Sequence, residues 1–482
     1  MTSLAVDEQV FELEAGLQGA PPEDPAGAAK TFGHYDPARS FLLPPSLDDW
    51  LPEDHTARSI AEAAEDLLDV SAIYTSDEET SGAPPYDPGM MLKLLPYGYS
   101  VGVTTSREIE RRCVTEVALR WLSSNQAPAY GSIARFRRRH LGAMDDLFTQ
   151  TVAYCAEAGL VKLDRVALDG TKLRASASRC KAMSCDRMGP RIDELKAQAK
   201  AVLEEVESIG REEDARCGED RRGGELPEEL ATKERRLAKL RAAKEALEAE
   251  AKERTRTRPA ERAQRKGATD DEVAQTAEAT PDKKAQRNFT DPESRMVKTT
   301  DGFHYAYNAQ VDVDECSQAA LATHVSAQEG DVGELFLMVH ATEERLDRAT
   351  ITARPRVILT DAGYCSEDNL RQTADAGVDV LVATGRPRHG EQVPDRPRGR
   401  VRADATRHER MARHLRTQKG RADCARRKAT VEPAFGQMKV RRRAGFLRLS
   451  GLEGATGEWT LYVVCHNLRR LANASNGAAA PA

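Results

Sequence analysis

Several features that define common protein classes are missing from this sequence of 482 residues. No run of about eighteen apolar residues occurs, so no segment is expected to span a membrane. The acidic first residues lack the basic start and the apolar stretch of a secretory signal. The nine cysteines form no Cys-x-x-Cys pair, which is typical of reduced thiols in the cytoplasm. No Gly-x-x-x-x-Gly-Lys-Ser/Thr motif is present, so no nucleotide cofactor is expected.

Aromatic residues are also scarce, at 5%, whereas hydrophobic residues make up 40% and charged residues 31%. This balance indicates a polar protein with enough apolar content for a core, and the length suggests about three domains. The net charge of −6 does not by itself indicate a nucleic-acid partner. From Arg386 to Arg448, however, 20 Lys and Arg residues stand against 6 Asp and Glu residues. This asymmetry predicts that one face of the protein binds a polyanion.

The first 160 residues divide into two parts of different composition. Residues 1–38 are rich in Ala, Gly, Pro and Asp, and they are predicted to be a disordered lead-in. Residues 39–160 show helical patterns with short breaks, so they are predicted to form an all-α domain.

A basic segment within that domain, residues 132–140, follows a polar turn and is predicted to be helical. Ile133 and Phe136 would form its apolar face. Four arginines occupy its other faces: Arg135, Arg137, Arg138 and Arg139. A basic helix after a turn is compatible with a helix-turn-helix motif in which these arginines bind DNA. An ordinary bundle helix with solvated arginines explains the pattern equally well, so both interpretations stay open.

A long insertion, residues 186–290, follows the first predicted strand. Its first part carries apolar residues in alternating steps of three and four, as in a packed helix: Ile192, Leu195, Ala199, Val202, Val206 and Ile209. After a polar break over 211–225, a similar stripe of leucines begins at Leu230. The two helices are predicted to form an antiparallel hairpin, with pairing to another subunit as the alternative. Residues 253–290 are predicted to be charged and weakly ordered.

Three short segments each end an apolar run in a carboxylate. Val-Ala-Leu-Asp169 and Val-Ile-Leu-Thr-Asp361 are predicted to be buried strands that stop at the aspartate. The carboxyl ends of central strands are where open α/β sheets place their ligands. Glu432, in Thr-Val-Glu-Pro-Ala-Phe, opens a helical segment rich in Arg and Lys. The three acids suit a site that holds two Mg²⁺ ions and cuts phosphodiester bonds.

The order of the predicted elements indicates the fold class. Along the chain these elements are the Asp169 strand, the insertion, a β-hairpin (303–327), a helix (332–349), the Asp361 strand, a helix (367–376), a strand (378–384) and closing helices. This is the order of an α/β, ribonuclease-H-like fold: a mixed-sheet catalytic core with a helical-hairpin insertion. The catalytic domain is predicted to span 161–475, and residues 476–482 are a tail.

Three motifs carry a resemblance to a known family. Asp169-Gly-Thr-Lys172, Asp361-Ala-Gly-Tyr364 and Glu432, with Lys439 seven residues later, resemble the motifs of bacterial insertion-sequence transposases of the DDE type. The segment that begins at Tyr86-Asp-Pro resembles the helical N-terminal domain of one branch of that family, and the resemblance covers nearly the whole chain. It implies that Asp169, Asp361 and Glu432 are catalytic metal ligands for two Mg²⁺ ions, with Mn²⁺ as a substitute.

The resemblance also implies an activity and its partners. Transposases of this kind cleave double-stranded DNA at terminal inverted repeats and transfer the strand into target DNA. Residues 39–160 would bind the repeats and dimerise, and the protein would act in the bacterial cytoplasm, associated with the nucleoid. The alternative is a catalytically inactive, transposase-derived DNA-binding protein that acts as a repressor.

The basic residues around Glu432 are candidates for DNA contacts. Seven residues are two helical turns, so Glu432 and Lys439 would face the same way, with Lys439 at a phosphate. Family members often have Arg four residues before the glutamate, where this chain has Lys428, and Tyr three residues before that, where it has Ala425. Pro433 leaves two interpretations, a helix that begins near Thr430 or a helix kinked at the proline. The other candidate DNA-binding residues are Arg427, Arg441, Arg442 and Arg443.

Overall fold

The computed structural model describes residues 46–67, 69, 71–76, 86–178, 181–217, 228–266, 282–283, 285–299, 302–385 and 399–478. Its contacts separate residues 1–46 from a compact unit, Leu47–Ala482. The predicted lead-in over 1–38 lies outside the described residues, as do the last residues of the predicted tail. No helix in the described part of the chain is long and apolar enough to cross a membrane.

The described residues in the N-terminal part of the compact unit form helices joined by short loops, without a strand. Its helices are α1 (Leu47–Trp50), α2 (Thr56–Glu62), α3 (Ser71–Ser76), α4 (Pro88–Ser100), α5 (Ser106–Thr115), α6 (Val117–Leu122), α7 (Tyr130–Arg139) and α8 (Ala143–Glu157). Helix α4 begins after Asp87, whose side chain accepts a hydrogen bond from the Met90 amide at 2.8 Å. Pro88 occupies the first turn, where its missing N–H costs nothing. Pro96 lies inside α4, which nevertheless continues to Ser100.

The strands lie between α8 and the C-terminal helices. They are β1 (Arg165–Arg174), β2 (Ala182–Ser184), β3 (Gln286–Asn288), β4 (Arg295–Thr299), β5 (Gly302–Asp314), β6 (Ala320–Ser326), β7 (Val357–Thr360) and β8 (Val380–Val382). In the main sheet the order is β4, β5, β1, β7, β8, and β6 also pairs with β5. Strand β1 runs antiparallel to β5 and parallel to β7, and β7 is parallel to β8. The prediction of an α/β protein with a mixed sheet is therefore confirmed.

The segment between β1 and β5 is more ordered than predicted. Helix α9 (Cys185–Cys217) passes through Arg211, where a break was expected, and α10 (Glu228–Lys266) follows it. The two helices pack through apolar side chains: Met188, Ile192, Leu195, Leu240, Ala243 and Leu247. Strand β3 lies inside the charged segment 253–290 and pairs with β2, so that segment is not weakly ordered throughout. Strand β3 could not be predicted from composition, because it is three residues long and depends on pairing with a distant strand.

Helices after β6 cover the sheet and carry the basic part of the chain. They are α11 (Glu334–Arg348), α12 (Glu367–Asp375), α13 (Arg407–Leu415), α14 (Gln418–Phe435) and α15 (Leu452–Ala478), with a π-helical turn over Gly436–Arg441 between the last two. Residues 458–468 of α15 are buried throughout. Helix α15 packs against α4, α8 and β6, so the N-terminal helices and the sheet share one continuous core.

A buried polar network ties three of these elements together. Arg137 of α7 donates to the Tyr99 hydroxyl at 2.8 Å and to the Thr104 carbonyl at 3.0 Å. Tyr99 in turn donates to Glu458 of α15 at 3.2 Å. Burial raises the pKa of Glu458, and the positive charge of Arg137 opposes that rise. The arginine therefore serves as the counterion of a buried carboxylate.

A second buried acid, Asp312, is expected to make the stability of the protein depend on pH. Asp312 of β5 is fully buried, and its Oδ2 accepts a hydrogen bond from Thr342 of α11. Burial raises the pKa of Asp312 to about 7. Between about pH 4 and pH 7 the folded state then holds a proton that the unfolded chain has lost, so the free energy of unfolding falls as the pH rises.

We expect Asp312→Asn to remove this part of the pH dependence, because asparagine carries no ionisable group. Urea denaturation from pH 4 to pH 8 measures the free energy of unfolding of both proteins. The wild type should lose about 2–4 kcal/mol more than the variant over that range. Parallel profiles for the two proteins would show that Asp312 does not titrate in this window.

Candidate active site

Asp169 lies in the middle of β1 rather than at its end, so this part of the sequence prediction is wrong. The strand continues to Arg174 because β5 pairs with it over its whole second half, from Asp169 opposite Val311 to Arg174 opposite Ala306. The pairing of β1 with β7, in contrast, stops at Ala167 opposite Leu359. Asp169 therefore lies just beyond the point where the parallel neighbour ends.

Asp361 follows β7 directly, as predicted. Its Oδ1 accepts a hydrogen bond from the Gly363 amide at 2.7 Å, which caps a single 3₁₀ turn over Ala362–Tyr364. Asp361 stands two residues after Leu359, and Asp169 stands two residues after Ala167, its partner in the register. The two aspartates thus occupy equivalent positions, each two residues beyond the last paired residues of the parallel neighbours β1 and β7.

The carboxylate of Asp169 already has a cationic partner. Its Oδ2 accepts a hydrogen bond from Arg427 Nη1 at 2.7 Å, and its Oδ1 accepts one from the Gly170 amide at 2.8 Å. Burial raises the pKa of Asp169, Arg427 and the amide oppose the rise, and the negative charge of Asp361 adds to it. The two aspartates therefore repel each other, and a positive charge between them would relieve that repulsion.

Lys439 reaches the same strand from the π-helical turn. Its ammonium donates to the Thr171 hydroxyl at 2.8 Å and to the Lys172 carbonyl at 3.2 Å. Burial and the nearby charge of Arg174 lower the pKa of Lys439. These contacts hold the Lys439 ammonium against β1 at Thr171, two residues after Asp169.

Glu432 lies on α14 and is exposed. Helix α14 begins at Gln418, capped by Thr417, so the interpretation that a helix starts near Thr430 is wrong and Pro433 lies inside the helix. The π-helical turn from Gly436 changes the spacing, so Glu432 and Lys439 are not separated by two regular α-helical turns. Among the described residues, no three His, Cys, Asp or Glu side chains lie close enough together to hold one metal ion. Glu432 does not complete such a group with the two aspartates in this conformation.

A fourth acid, Asp331, was missed by sequence reasoning. It lies in the turn between β6 and α11, and its Oδ1 accepts hydrogen bonds from Asn308 at 2.8 Å and from Gln310 at 3.0 Å. Lys172 of β1 lies 3.3 Å from the same oxygen. No apolar run precedes Asp331 directly, because the three residues before it are Gln, Glu and Gly. Only the pairing of β1 with β5 reveals that its partners converge.

The candidate DNA-binding arginines differ in exposure. On α7, Arg135, Arg138 and Arg139 are exposed, whereas Arg137 is buried in the network with Tyr99. After the π-helical turn begins, Arg441 and Arg443 are exposed, whereas Arg442 is only 2% exposed. Burial and the charges of neighbouring arginines together lower the pKa of Arg442 to about 10. A guanidinium buried in this way does not face DNA in this conformation.

The two basic residues before Glu432 also differ. Lys428 is exposed on α14, whereas Arg427 is 13% exposed and contacts Asp169. Arg427 thus belongs to the acid site itself. Its ion pair is of the partly buried kind, in which geometry and burial strengthen the interaction relative to a surface pair.

Comparison with protein families agrees with this architecture. A family model described as a transposase domain (DUF772) matches residues 45–139, and a model of the transposase DDE domain matches residues 262–468. Together the matches span more than half of the chain, and Asp361 and Glu432 lie within the second. Asp169 lies between the two matched segments, so its role depends on the geometry of β1 and β7. Neither a comparison with curated proteins nor one with solved structures finds a match.

The helical N-terminal part, the mixed sheet and the two matches define a mobile-element enzyme that acts on DNA. The chain belongs to the insertion-sequence transposases of the DDE type. It is therefore a DNA transposase, a metal-dependent nuclease and strand transferase with a ribonuclease-H-like catalytic domain. Neither match favours the alternative of an inactive DNA-binding derivative.

Proposed function

We propose that Asp169, Asp361 and Glu432 hold two Mg²⁺ ions while the protein cleaves terminal inverted repeats and transfers the strand into target DNA. The observation that carries this proposal is that Asp169 and Asp361 each stand two residues beyond the last paired residues of the parallel neighbours β1 and β7. Adjacent strands lie about 4.8 Å apart, so two carboxylates at matching positions can share a cation. Mn²⁺ has the same preference for oxygen ligands and is expected to substitute.

The donor set fits a hard divalent cation. Carboxylate oxygens are the ligands that Mg²⁺ prefers, and the repulsion that contributes to the raised pKa of Asp169 would be relieved by it. When bound, a pair of such ions activates the attacking water and stabilises the leaving 3′ oxygen. Arg427 neutralises Asp169 until then. We propose that Arg427 turns to a DNA phosphate and that α14 brings Glu432 to the aspartates as metal and DNA bind.

Cationic side chains would hold the DNA backbone near this site. Lys439 contacts β1 beside Asp169 and is half-buried, whereas Lys428, Arg441 and Arg443 are exposed around α14 and the π-helical turn. Such residues contact phosphates without reading sequence. Arg135, Arg138 and Arg139 form a second exposed group on α7, and we propose that this group contacts the terminal repeat.

The remaining parts of the chain have proposed roles as well. We propose that residues 39–160 form the DNA-binding and dimerisation domain and that residues 161–475 form the catalytic domain, with 186–290 as a helical-hairpin insertion. The packing of α9 on α10 through a shared apolar seam supports the intramolecular hairpin. A homodimer on paired ends, in the bacterial cytoplasm at the nucleoid, fits a reaction that acts on two ends of one element.

Nicking of a labelled duplex tests the proposed function. Purified protein is incubated with a duplex that carries the inverted repeat flanking its own gene, with Mg²⁺, with Mn²⁺ or with EDTA. We expect nicks at the repeat boundary with either metal and none with EDTA, because the aspartates cannot activate water alone. A duplex with the repeat scrambled is the control. Cutting that persists in EDTA, or that ignores the repeat, would contradict the proposal.

A further inference from the structure

Three hydrogen-bond donors converge on one oxygen of Asp331. Asn308 and Gln310 of β5 donate to its Oδ1 at 2.8 and 3.0 Å, and the Lys172 ammonium of β1 lies 3.3 Å away. Both amide side chains are almost fully buried, and the Asn308 amide also donates to the Gly330 carbonyl at 3.3 Å. A buried amide group has few hydrogen-bond partners within reach. The acceptor that Asn308 and Gln310 share therefore determines the orientation of both side chains.

The orientation of Gln310 matters because its other end reaches the Asp361 turn. With its Nε2 directed at Asp331, its Oε1 accepts a hydrogen bond from the Tyr364 hydroxyl. Tyr364 is fully buried and is the last residue of the 3₁₀ turn that Asp361 caps. A continuous chain of hydrogen bonds therefore runs from Asp331 through Gln310 to Tyr364, in the turn that begins at Asp361.

Two glycines show how closely this chain approaches both aspartates. A Cβ on Gly170, the residue after Asp169, would lie 2.7 Å from Gln310 Nε2 and 3.0 Å from Asp331 Oδ1. A Cβ on Gly363 would lie 3.0 Å from Asp361 Oδ1 and 3.4 Å from Asp331 Oδ2. Because neither glycine has a Cβ, the neighbouring side chains can approach the backbone this closely. Asp331 therefore lies against the backbone of β1 beside Asp169 and against the turn that Asp361 caps, and Gln310 lies against β1.

We propose that Asp331 is a positioning residue of the DDE site, which orients Gln310 and through it the Tyr364 turn that holds Asp361. The inference rests on the proposed role of Asp169 and Asp361 as metal ligands. Partners that orient metal ligands from outside the ligand shell affect metal affinity by about 10–100-fold when they are removed. Asp331→Ala should therefore weaken metal binding by a similar factor, because Gln310 loses the acceptor that fixes its amide.

Calorimetric titration of the full-length protein with Mn²⁺ measures this effect without any reaction. We expect Asp331→Ala to raise the dissociation constant for Mn²⁺ by about 10–100-fold. Asp331→Asn keeps an oxygen that can accept from both amides, so it should stay within about threefold of the wild type. If Asn is as damaging as Ala, the charge of Asp331 acts on the metal itself and the positioning role is overturned. Wild-type affinity in Asp331→Ala would overturn it as well.

A double-mutant cycle tests whether Asp331 and Gln310 act through the same chain of hydrogen bonds. Gln310→Leu should weaken Mn²⁺ binding as much as Asp331→Ala does, and the double variant should be no worse than either single variant. Additive losses would show that the two side chains act separately. Tyr364→Phe tests the chain from its other end if Asp331→Ala does not fold. Glu329→Ala, an exposed acid in the same turn, is the matched control and should bind as the wild type does.

Asp169→Ala separates the two proposals. If it binds Mn²⁺ as tightly as the wild type, the metal site itself is misassigned. If it loses binding while Asp331→Ala retains it, only the positioning role fails.

Discussion

Asp169→Ala, Asp361→Ala and Glu432→Ala are each expected to slow strand cleavage by at least about a thousandfold. Losing a metal-binding carboxylate removes several kcal/mol of transition-state stabilisation, and each 1.4 kcal/mol is worth about a factor of ten in rate. Single-turnover cleavage of a labelled repeat duplex measures the rate, and a gel-shift assay on the same duplex measures binding. Binding should change little, because the exposed cations around α14 and on α7 are untouched.

Asp368→Ala provides the matched control for this series. Asp368 is an exposed carboxylate on α12, seven residues after Asp361, and it pairs with Arg371 on its own helix. Its loss should leave the cleavage rate within about twofold, since surface pairs of this kind contribute little. The site assignment fails if the three acid variants cut as fast as this control. If Glu432→Ala alone remains active, the glutamate is misassigned and the aspartate pair is retained.

Arg137→Met and Arg442→Met are expected to change stability in opposite directions. Both arginines are buried, at 8% and 2% exposure, and methionine keeps most of the aliphatic stem. Arg137 donates to Tyr99 and Thr104 and offsets the charge of Glu458, so removing it should lower the free energy of unfolding by about 3–5 kcal/mol. Among the residues that the structure describes, none forms a hydrogen bond with the buried Nη1 of Arg442, and its neighbouring charges are mainly other arginines. Removing the Arg442 guanidinium should raise the free energy of unfolding by about 1–3 kcal/mol.

Urea denaturation of the two variants beside the wild type measures both effects. Both substitutions remove a buried guanidinium and introduce the same residue. The two variants therefore differ mainly in the partners that each guanidinium loses. If Arg442→Met is destabilised as much as Arg137→Met, Arg442 is satisfied by a partner and its burial carries no penalty. Arg138 is an exposed arginine of the same helix as Arg137. A DNA-binding measurement on Arg138→Ala then distinguishes an effect on DNA affinity from an effect on stability.

The catalytic half of the fold was predictable because its signals are local. Apolar runs that end at Asp361 and the alternation from His304 to Asp314 specify strands without reference to distant residues. The order of those strands then restricts the sheet to few topologies. Asp169 was placed at the end of its strand because Asp-Gly is turn chemistry in isolation. The long β5 overrides that preference by pairing with β1 as far as Arg174.

The candidate site was only partly predictable, since exposure and partners depend on packing. Four arginines on α7 look alike in the sequence, yet Arg137 alone is drawn into the core by a buried tyrosine and a buried glutamate. Lys428 was considered for the family's accessory position, but Arg427 is the residue that reaches Asp169. Asp331 lies in a turn of ordinary composition and becomes recognisable only through its partners on β5.

By itself the sequence determined that Asp361 follows a buried strand, in what order the strands that carry Asp169 and Asp361 and the intervening hairpin come, and that the basic residues concentrate near Glu432, because these are properties of neighbouring residues. The tertiary structure alone decided that Asp169 and Asp361 stand at equivalent distances beyond the pairing of β1 with β7, that Asp331 lies next to both segments, and that Arg137 and Arg442 are removed from the surface. Register and burial are relations between segments that lie far apart along the chain, and no local pattern encodes them.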